Sequence, residues 1–524
     1  MLDGGFDPSH VDLGGGFGPG KKIRSAYSYH PSLPVDGCLP VYVQHGNNST
    51  GVLGALTDNN QVGVASIGGG FDPAYLGPEL ALLATWCNGR DDFPAAIVDA
   101  TAAALPDGQP ANCRIISYSA GNYVWHESER LACFTAYQRG SLLCAAKGNH
   151  GDELHHYPAD YDQHWTLSVG ASARLPDWRI SKEVFGWGSN YGYSIDLVAP
   201  GIDIPTTDLN HGYRDNYSAT SAATPLAASA AAALQLNADF TLTPEDIQGL
   251  LKAGCSDVLD DLRHPEPTLH GPDEYTGAGR LDVAASLALL SPPNVFMQLE
   301  SDPSQNTWET WGWRYVTFIE GARPLPFPEG VWMAFPVEVT AHVQYPAPFI
   351  QPPHAWVVGS RSSGVSLNSP NYGEGSGYFG STTQTGCTAY GITYLVLAPG
   401  FIGYWPDVPE LVKVGVSVVG QLSVSDAPES AQLDREVSWH VQRSVGTSAR
   451  FAFPSGVPVG MRMELYSVAG RRVREITPPV VRGAHFLDWD GRDDAGRACP
   501  AGIYWARSTG VHTGRHTARV ILVR

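Results

Sequence analysis

Apolar positions in the first part of the chain fall into two alternating kinds of run. Short, nearly continuous apolar stretches read as strands buried on both faces. Examples are Ile115-Ile116-Ser117-Tyr118, Trp165-Thr166-Leu167-Ser168-Val169-Gly170-Ala171 and Leu197-Val198-Ala199. Longer helical stretches separate them. One covers Ala95 to Ala104. Another opens at Thr243-Pro244-Glu245-Asp246, where a capping hydroxyl, a proline and two acids mark a helix start. A third follows Ala219-Thr220-Ser221 and runs to Leu236, mostly as alanine, the best intrinsic helix former. This alternation predicts an α/β domain: a parallel sheet with helices on both faces.

The helical pattern stops at Ser291-Pro292-Pro293-Asn294. From about 295 to 438 the chain reads as β-rich. Val337-Glu338-Val339-Thr340-Ala341-His342-Val343 alternates with period two, as does part of Val414 to Val424. Beyond Val441 the order is strand, Gly turn, strand, Trp-Asp-Gly loop and strand. The predicted organisation is an α/β domain over 1–292, a β-rich domain over 293–438 and a second β domain over 439–524. Both β domains are expected to be sandwich-like.

Composition narrows the function classes. The chain has 524 residues and a net charge of −19, with only 16% charged residues. That disfavours nucleic-acid binding, which needs a basic surface. No apolar run reaches the roughly 20 residues of a membrane-spanning helix. The 58 glycines and 40 prolines, close to a fifth of the chain, suit loop-rich and β-rich domains rather than coiled coil. Eight cysteines stand at 38, 87, 113, 133, 144, 255, 387 and 499, with no Cys-x-x-Cys pair to suggest zinc. An even count in an exported chain allows disulfides, in pairings the sequence does not specify.

Candidate chemistry centres on Ser221. It stands at a helix start, where unpaired N–H groups and the dipole favour developing negative charge. A serine hydroxyl needs a neighbouring base to act as a nucleophile, and an imidazole meets that need. Each candidate also has a plain structural role. Ser221 suits a helix cap, Asp3 a turn in a Gly-rich segment, His45 a polar loop, and Asn149 after Gly148 a left-handed turn.

Four segments together resemble the subtilisin-like serine peptidases, in the family's order. They are Asp3-Gly4-Gly5 with His10-Val11-Asp12-Leu13; His45-Gly46 with Gly51, Gly54 and Gly63-Val64-Ala65; Ala145-Ala146-Lys147-Gly148-Asn149; and Ala219-Thr220-Ser221-Ala222-Ala223-Thr224-Pro225. The resemblance extends to about Ser291 and implies a subtilisin-like fold. It implies Ser221 as nucleophile, His45 as general base, Asp3 as the carboxylate orienting His45, and Asn149 as oxyanion donor. It implies a substrate cleft along Ser117, Ser119, Ala120, Gly121 and Gly148. The family usually has Gly where Ala219 stands and Thr-His where Asn47-Asn48 stand. Lys147 replaces a small residue. It is expected to point to solvent, or, if it faces the cleft, to favour acidic substrate side chains.

The last segment resembles the FlgD-type immunoglobulin-like domain of exported bacterial proteins. The residues carrying this are Leu465 to Arg474, Trp489-Asp490-Gly491-Arg492-Asp493-Asp494-Ala495-Gly496-Arg497 and Ala501-Gly502-Ile503-Tyr504. It implies export or cell-surface sorting. Asp488, Asp490, Asp493 and Asp494 are carboxylates that suit calcium in kind but do not meet the EF-hand pattern, so turn roles are expected. Only two residues precede Asp3, and no signal peptide is visible, so an upstream strand, propeptide and signal are expected in a longer gene.

The resulting expectation is a secreted or surface bacterial serine endopeptidase. It would act on protein or peptide substrates and need no cofactor for chemistry, with structural calcium allowed. The competing expectation is a non-catalytic surface or adhesive protein on a degenerate subtilase domain. An esterase or transpeptidase use of the same residues is a third reading.

Overall fold

The computed structural model describes residues 1–57, 62–70, 76–87, 90–161, 165–174, 180–192, 194–238, 241–258, 273–305, 307–310, 314–316, 332–362, 377–397, 412–423, 440–443, 445–446, 449–452, 462–467, 472–476, 486–500, 502–509 and 517–522. Two compact units emerge: Met1–Tyr345 with Phe349–Gln421, and Pro346–Pro348 with Leu422–Arg524.

The first unit is built on a seven-stranded parallel sheet. Its strands are β1 (Leu2–Asp3), β2 (Ile23–Ser28), β3 (Leu80–Ala84), β4 (Ile115–Tyr118), β5 (Leu142–Ala146), β6 (Thr166–Ser172) and β7 (Leu197–Pro200), in the order β2-β3-β1-β4-β5-β6-β7. The runs β3, β5 and β6 are buried at every position, as strands covered by helices on both faces must be. β1 is short but central. Leu2 pairs with Leu83 on one side and Tyr118 on the other. An antiparallel ribbon, β8 (Ile204–Thr207) and β9 (Tyr213–Tyr217), leads into the serine segment.

Helices α1 (Pro40–Gly54), α2 (Phe93–Ala100), α3 (Glu127–Gln138) and α4 (Thr220–Asn237) pack around this sheet. The alanine run forms a helix as expected, and its small side chains let α4 lie close to the strands. Ala222, Ala223, Ala227, Ala228, Ala230 and Ala231 are fully buried. The α1 helix makes an even closer approach. A Cβ on Gly46 would stand 1.9 Å from the carbonyl oxygen of Gly5, so only glycine lets the helix meet the loop after β1.

Helix α5 (Pro244–Gly254) begins with the predicted cap. The Thr243 hydroxyl accepts from the Asp246 N–H and Asp246 accepts from the Thr243 N–H, both at 3.1 Å. Asp246 is fully buried and serves a second layer as well. It accepts from Ser417 Oγ at 2.5 Å, Gln298 Nε2 at 2.7 Å and Trp356 Nε1 at 3.2 Å. Those donors lie on Asn294–Glu300, His354–Ser362 and Val412–Gln421, three strands of one antiparallel sheet. A last helix, α6 (Val283–Leu289), precedes them, capped by Asp282.

The second unit contains mainly antiparallel sheets, with one parallel pair at Val445–Gly446, and its own core of Phe451, Met463, Leu465, Val473, Trp489 and Tyr504. The boundary expected at 438/439 lies outside the described residues, as do the turn positions 468–471. No described helix is long and apolar enough to cross a membrane.

Two outcomes follow from this packing. Gly46→Ala forces α1 away from the loop that follows Asp3, and a lowered thermal midpoint together with loss of serine labelling is expected. Asp246→Ala removes a cap and strands the buried Ser417 hydroxyl, while Gln298 and Trp356 keep access to water, so unfolding by denaturant should show a loss of about 2 kcal/mol or more.

Candidate active site

Asp3 ends β1 at the carboxyl edge of the sheet and is buried. Its Oδ1 accepts from the Gly4 N–H at 2.7 Å. His45 lies in the second turn of α1 and brings Nδ1 to 2.8 Å from Oδ1 and 3.0 Å from Oδ2 of Asp3. An ionised carboxylate only accepts, so the network assigns the Nδ1–H to Asp3 and leaves Nε2 with the lone pair. Burial by itself lowers the His45 pKa. The Asp3 charge and its hydrogen bond outweigh that, and the net shift is upward from 6.5.

Ser221 sits in the first turn of α4, after extended Ala219. Its Oγ donates to the Ser119 carbonyl at 2.8 Å, and Ser119 Oγ donates back to the Ser221 carbonyl at 3.0 Å. The second bond has a clear cause. Pro225 stands four residues on and has no N–H to give the Ser221 carbonyl, so Ser119 supplies the donor. Ser119 just beyond the end of β4 is thereby locked to the start of α4.

Nε2 of His45 faces Tyr217 Oη at 3.4 Å, with the rings edge to face. Tyr217 Oη also lies 2.9 Å from Ser49 Oγ. Burial and the nearby Asp3 charge push the Tyr217 pKa up, so the phenol keeps its proton and donates to Nε2. The Ser221 proton and the Nε2 lone pair thus each have another partner. Sequence reading did not single out Tyr217. Its signal is an aromatic four residues before the serine, but only the β8–β9 ribbon carries its ring over α1.

Asn149 lies beyond β5 and is exposed. Its Oδ1 accepts from the Thr220 N–H at 2.8 Å and from Thr220 Oγ1 at 2.9 Å. Two donors on the oxygen fix the orientation of the amide and leave its NH2 pointing the other way. Asn149 is joined to α4 one residue before Ser221.

The remaining predicted positions divide. Ser119, Ala120, Gly121 and Gly148 lie around this edge, Gly121 exposed and Gly148 buried with φ of +108°. Ser117 is buried inside β4, in register with Cys144, and its hydroxyl has no hydrogen-bond partner among the described residues. Lys147 departs from both expectations for it. It is buried, and its Nζ donates to Asp160 at 2.6 and 2.7 Å and to Ser194 Oγ at 2.7 Å. Taking an ammonium out of water requires such a partner, so Asp160 draws it inward. Cys38 is disulfide-bonded, whereas Cys113, Cys133, Cys144, Cys255 and Cys387 are thiols.

Asp490 and Asp493 of the last segment are engaged in turns, whereas Asp494 reaches the strand Arg472–Ile476. Asp490 accepts from the Arg492 N–H, Asp493 from the Ala495 and Arg497 N–H groups, and Asp494 from the Glu475 N–H. The Asp488 side chain lies outside the described residues. Among the described residues no three His, Cys, Asp or Glu side chains converge as a metal site.

Known proteins match the same region. The model of the Subtilase family matches residues 1–279. A cell wall-associated protease of Bacillus subtilis is 33% identical over 174 residues, covering 30% of this chain and 18% of its own length. Thermitase of Thermoactinomyces vulgaris is 28% identical over 236 residues, covering 45% and 73%. Halolysin of Haloferax mediterranei is 31% identical over 288 residues, covering 54% and 47%. The chain thus spans less than half the length of the first and third of these relatives. With more than half of its length matched, the chain belongs to the subtilase family of serine peptidases.

Proposed function

We propose that the chain is a secreted or surface serine endopeptidase of bacterial type. The observation that carries this reading is the two-oxygen contact of Asp3 with His45, which leaves Nε2 with the lone pair that a general base needs. Peptide adds as a strand along Ser119 to Gly121, just beyond the end of β4. Substrate entry must first release two bonds, Ser221 Oγ from the Ser119 carbonyl and Nε2 from Tyr217. Ser221 Oγ then attacks the scissile carbonyl carbon as its proton passes to Nε2. The oxyanion is held by the Asn149 amide and the Ser221 backbone N–H. Nε2 returns the proton to the leaving amine as the C–N bond breaks. Water then attacks the acyl-enzyme, giving its proton to Nε2, and Ser221 is regenerated. None of these roles calls for a cofactor; structural calcium is allowed.

The second unit is read as an immunoglobulin-like, FlgD-type domain serving export or surface sorting, and the segment over 293–438 as a separate sandwich-like domain. Support comes from the antiparallel pairing around Trp489. One observation favours the non-catalytic alternative: Ser221 and His45 each already have another partner. A fluorophosphonate probe separates the two readings. The enzyme labels at one serine, and Ser221→Ala abolishes labelling. A binding module never labels.

Two further outcomes are expected. Catalysis needs neutral His45, and its pKa is raised, so labelling should rise with pH through a value above 6.5. Asp3→Ala leaves burial unopposed and should move that limb to lower pH while slowing the reaction; a pH profile of both proteins checks this. The same pair stabilises the fold in the opposite sense: its contribution is full below the unfolded histidine pKa and is lost as pH rises through the folded one. Tyr217→Phe removes one neutral hydrogen bond from Nε2 and should speed labelling by about two- to tenfold. Asn149→Leu should slow peptide hydrolysis by about a hundred- to a thousandfold, the size of effect known for that donor in subtilisin.

A further inference from the structure

Two short segments flank the site, Ser119–Gly121 on one side and Ala146–Gly148 on the other. Ser221 bonds to the first and Asn149 follows the second. The two segments are the backbone nearest to Ser221 and Asn149, so they are the natural walls for the side chain of a substrate residue whose carbonyl meets both. His156 stands there. A Cβ built on Gly121 would lie 2.4 Å from His156 Cε1, and one built on Gly148 would lie 3.2 Å from His156 Cδ2. Gly121 thus presses on the imidazole, while Gly148 meets Asn190 Nδ2 first, at 2.6 Å, and the imidazole edge second.

The ring is held there firmly. Its Nδ1–H donates to the Ala146 carbonyl at 2.9 Å, and its backbone N–H donates to Asp160 at 2.7 Å. Asp160 is itself held by Lys147. Beside it, Tyr157 exchanges backbone hydrogen bonds with Asn122, at 2.9 and 2.7 Å, tying this segment to the one that carries Gly121. The Tyr123 ring meets the imidazole edge to face at 5.2 Å. His156 is only 7% exposed, so its carbons are packed and not free to swing aside.

We infer that His156 forms the floor of the substrate slot and restricts the residue before the scissile bond to small side chains, Gly, Ala or Ser. This rests on the hydrolase reading above. A Leu or Phe side chain entering the slot meets an anchored ring, and overpacking of that kind is unfavourable. Even small mismatches in a pocket change kcat/KM by about ten- to two-hundredfold.

The full chain is assayed on a series of succinyl-Ala-Ala-Pro-X-p-nitroanilides with X as Gly, Ala, Ser, Leu and Phe. The unaltered protein should favour Ala over Leu and Phe by at least about tenfold in kcat/KM. His156→Gly and His156→Ala should raise the Phe/Ala and Leu/Ala ratios by at least about tenfold. Fluorophosphonate labelling and thermal melting identify a variant that has lost its fold, in which case the profile of the unaltered protein decides. A chain that labels yet accepts Phe or Leu as readily as Ala keeps the hydrolase reading and overturns the floor. A chain that neither labels nor cleaves overturns both.

Discussion

The contact between Asp3 and His45 governs the site because each partner is delivered by a different layer. Asp3 comes from the central strand of the sheet, His45 from a helix lying over its carboxyl edge. A carboxylate buried this deeply is costly unless hydrogen-bonded, and it is bonded to both the Gly4 amide and the imidazole. The helix reaches it only because Gly46 has no side chain to strike Gly5. Packing at one glycine thus sets the basicity of a histidine, since without Asp3 burial would lower the same pKa.

A second constraint arises from Pro225. Placing proline in the second turn of α4 deprives the Ser221 carbonyl of its usual partner. Ser119 fills the vacancy, and the reciprocal bond from Ser221 Oγ to the Ser119 carbonyl follows from the same proximity. The serine rests with its proton committed to a backbone oxygen while Tyr217 occupies the imidazole. On the proposed hydrolase reading, free and reacting protein differ by rearranged hydrogen bonds around a backbone joined through Asn149 and Thr220.

Asp246 plays a comparable organising part away from the site. It caps its own helix and gathers donors from three strands of a neighbouring antiparallel sheet. That sheet and the parallel sheet belong to one compact unit.

Much was legible in the chain. The alternation of apolar runs with helical stretches predicted the parallel sheet, because strands covered on both faces have no polar side to show. The alanine run predicted α4, and Thr243 with Asp246 predicted the start of α5, since both signals are local. The residue types Asp3, His45, Asn149 and Ser221 could be named from short motifs. Their partners could not. Tyr217 over His45, Ser119 against Ser221, Lys147 turned inward to Asp160, and His156 between Gly121 and Gly148 are contacts between segments distant along the chain or set by chain reversals. Local sequence determines which groups are present and which elements they ride on. Only the folded packing decides what each group touches, because burial makes every polar atom find a partner wherever the neighbouring layers happen to present one.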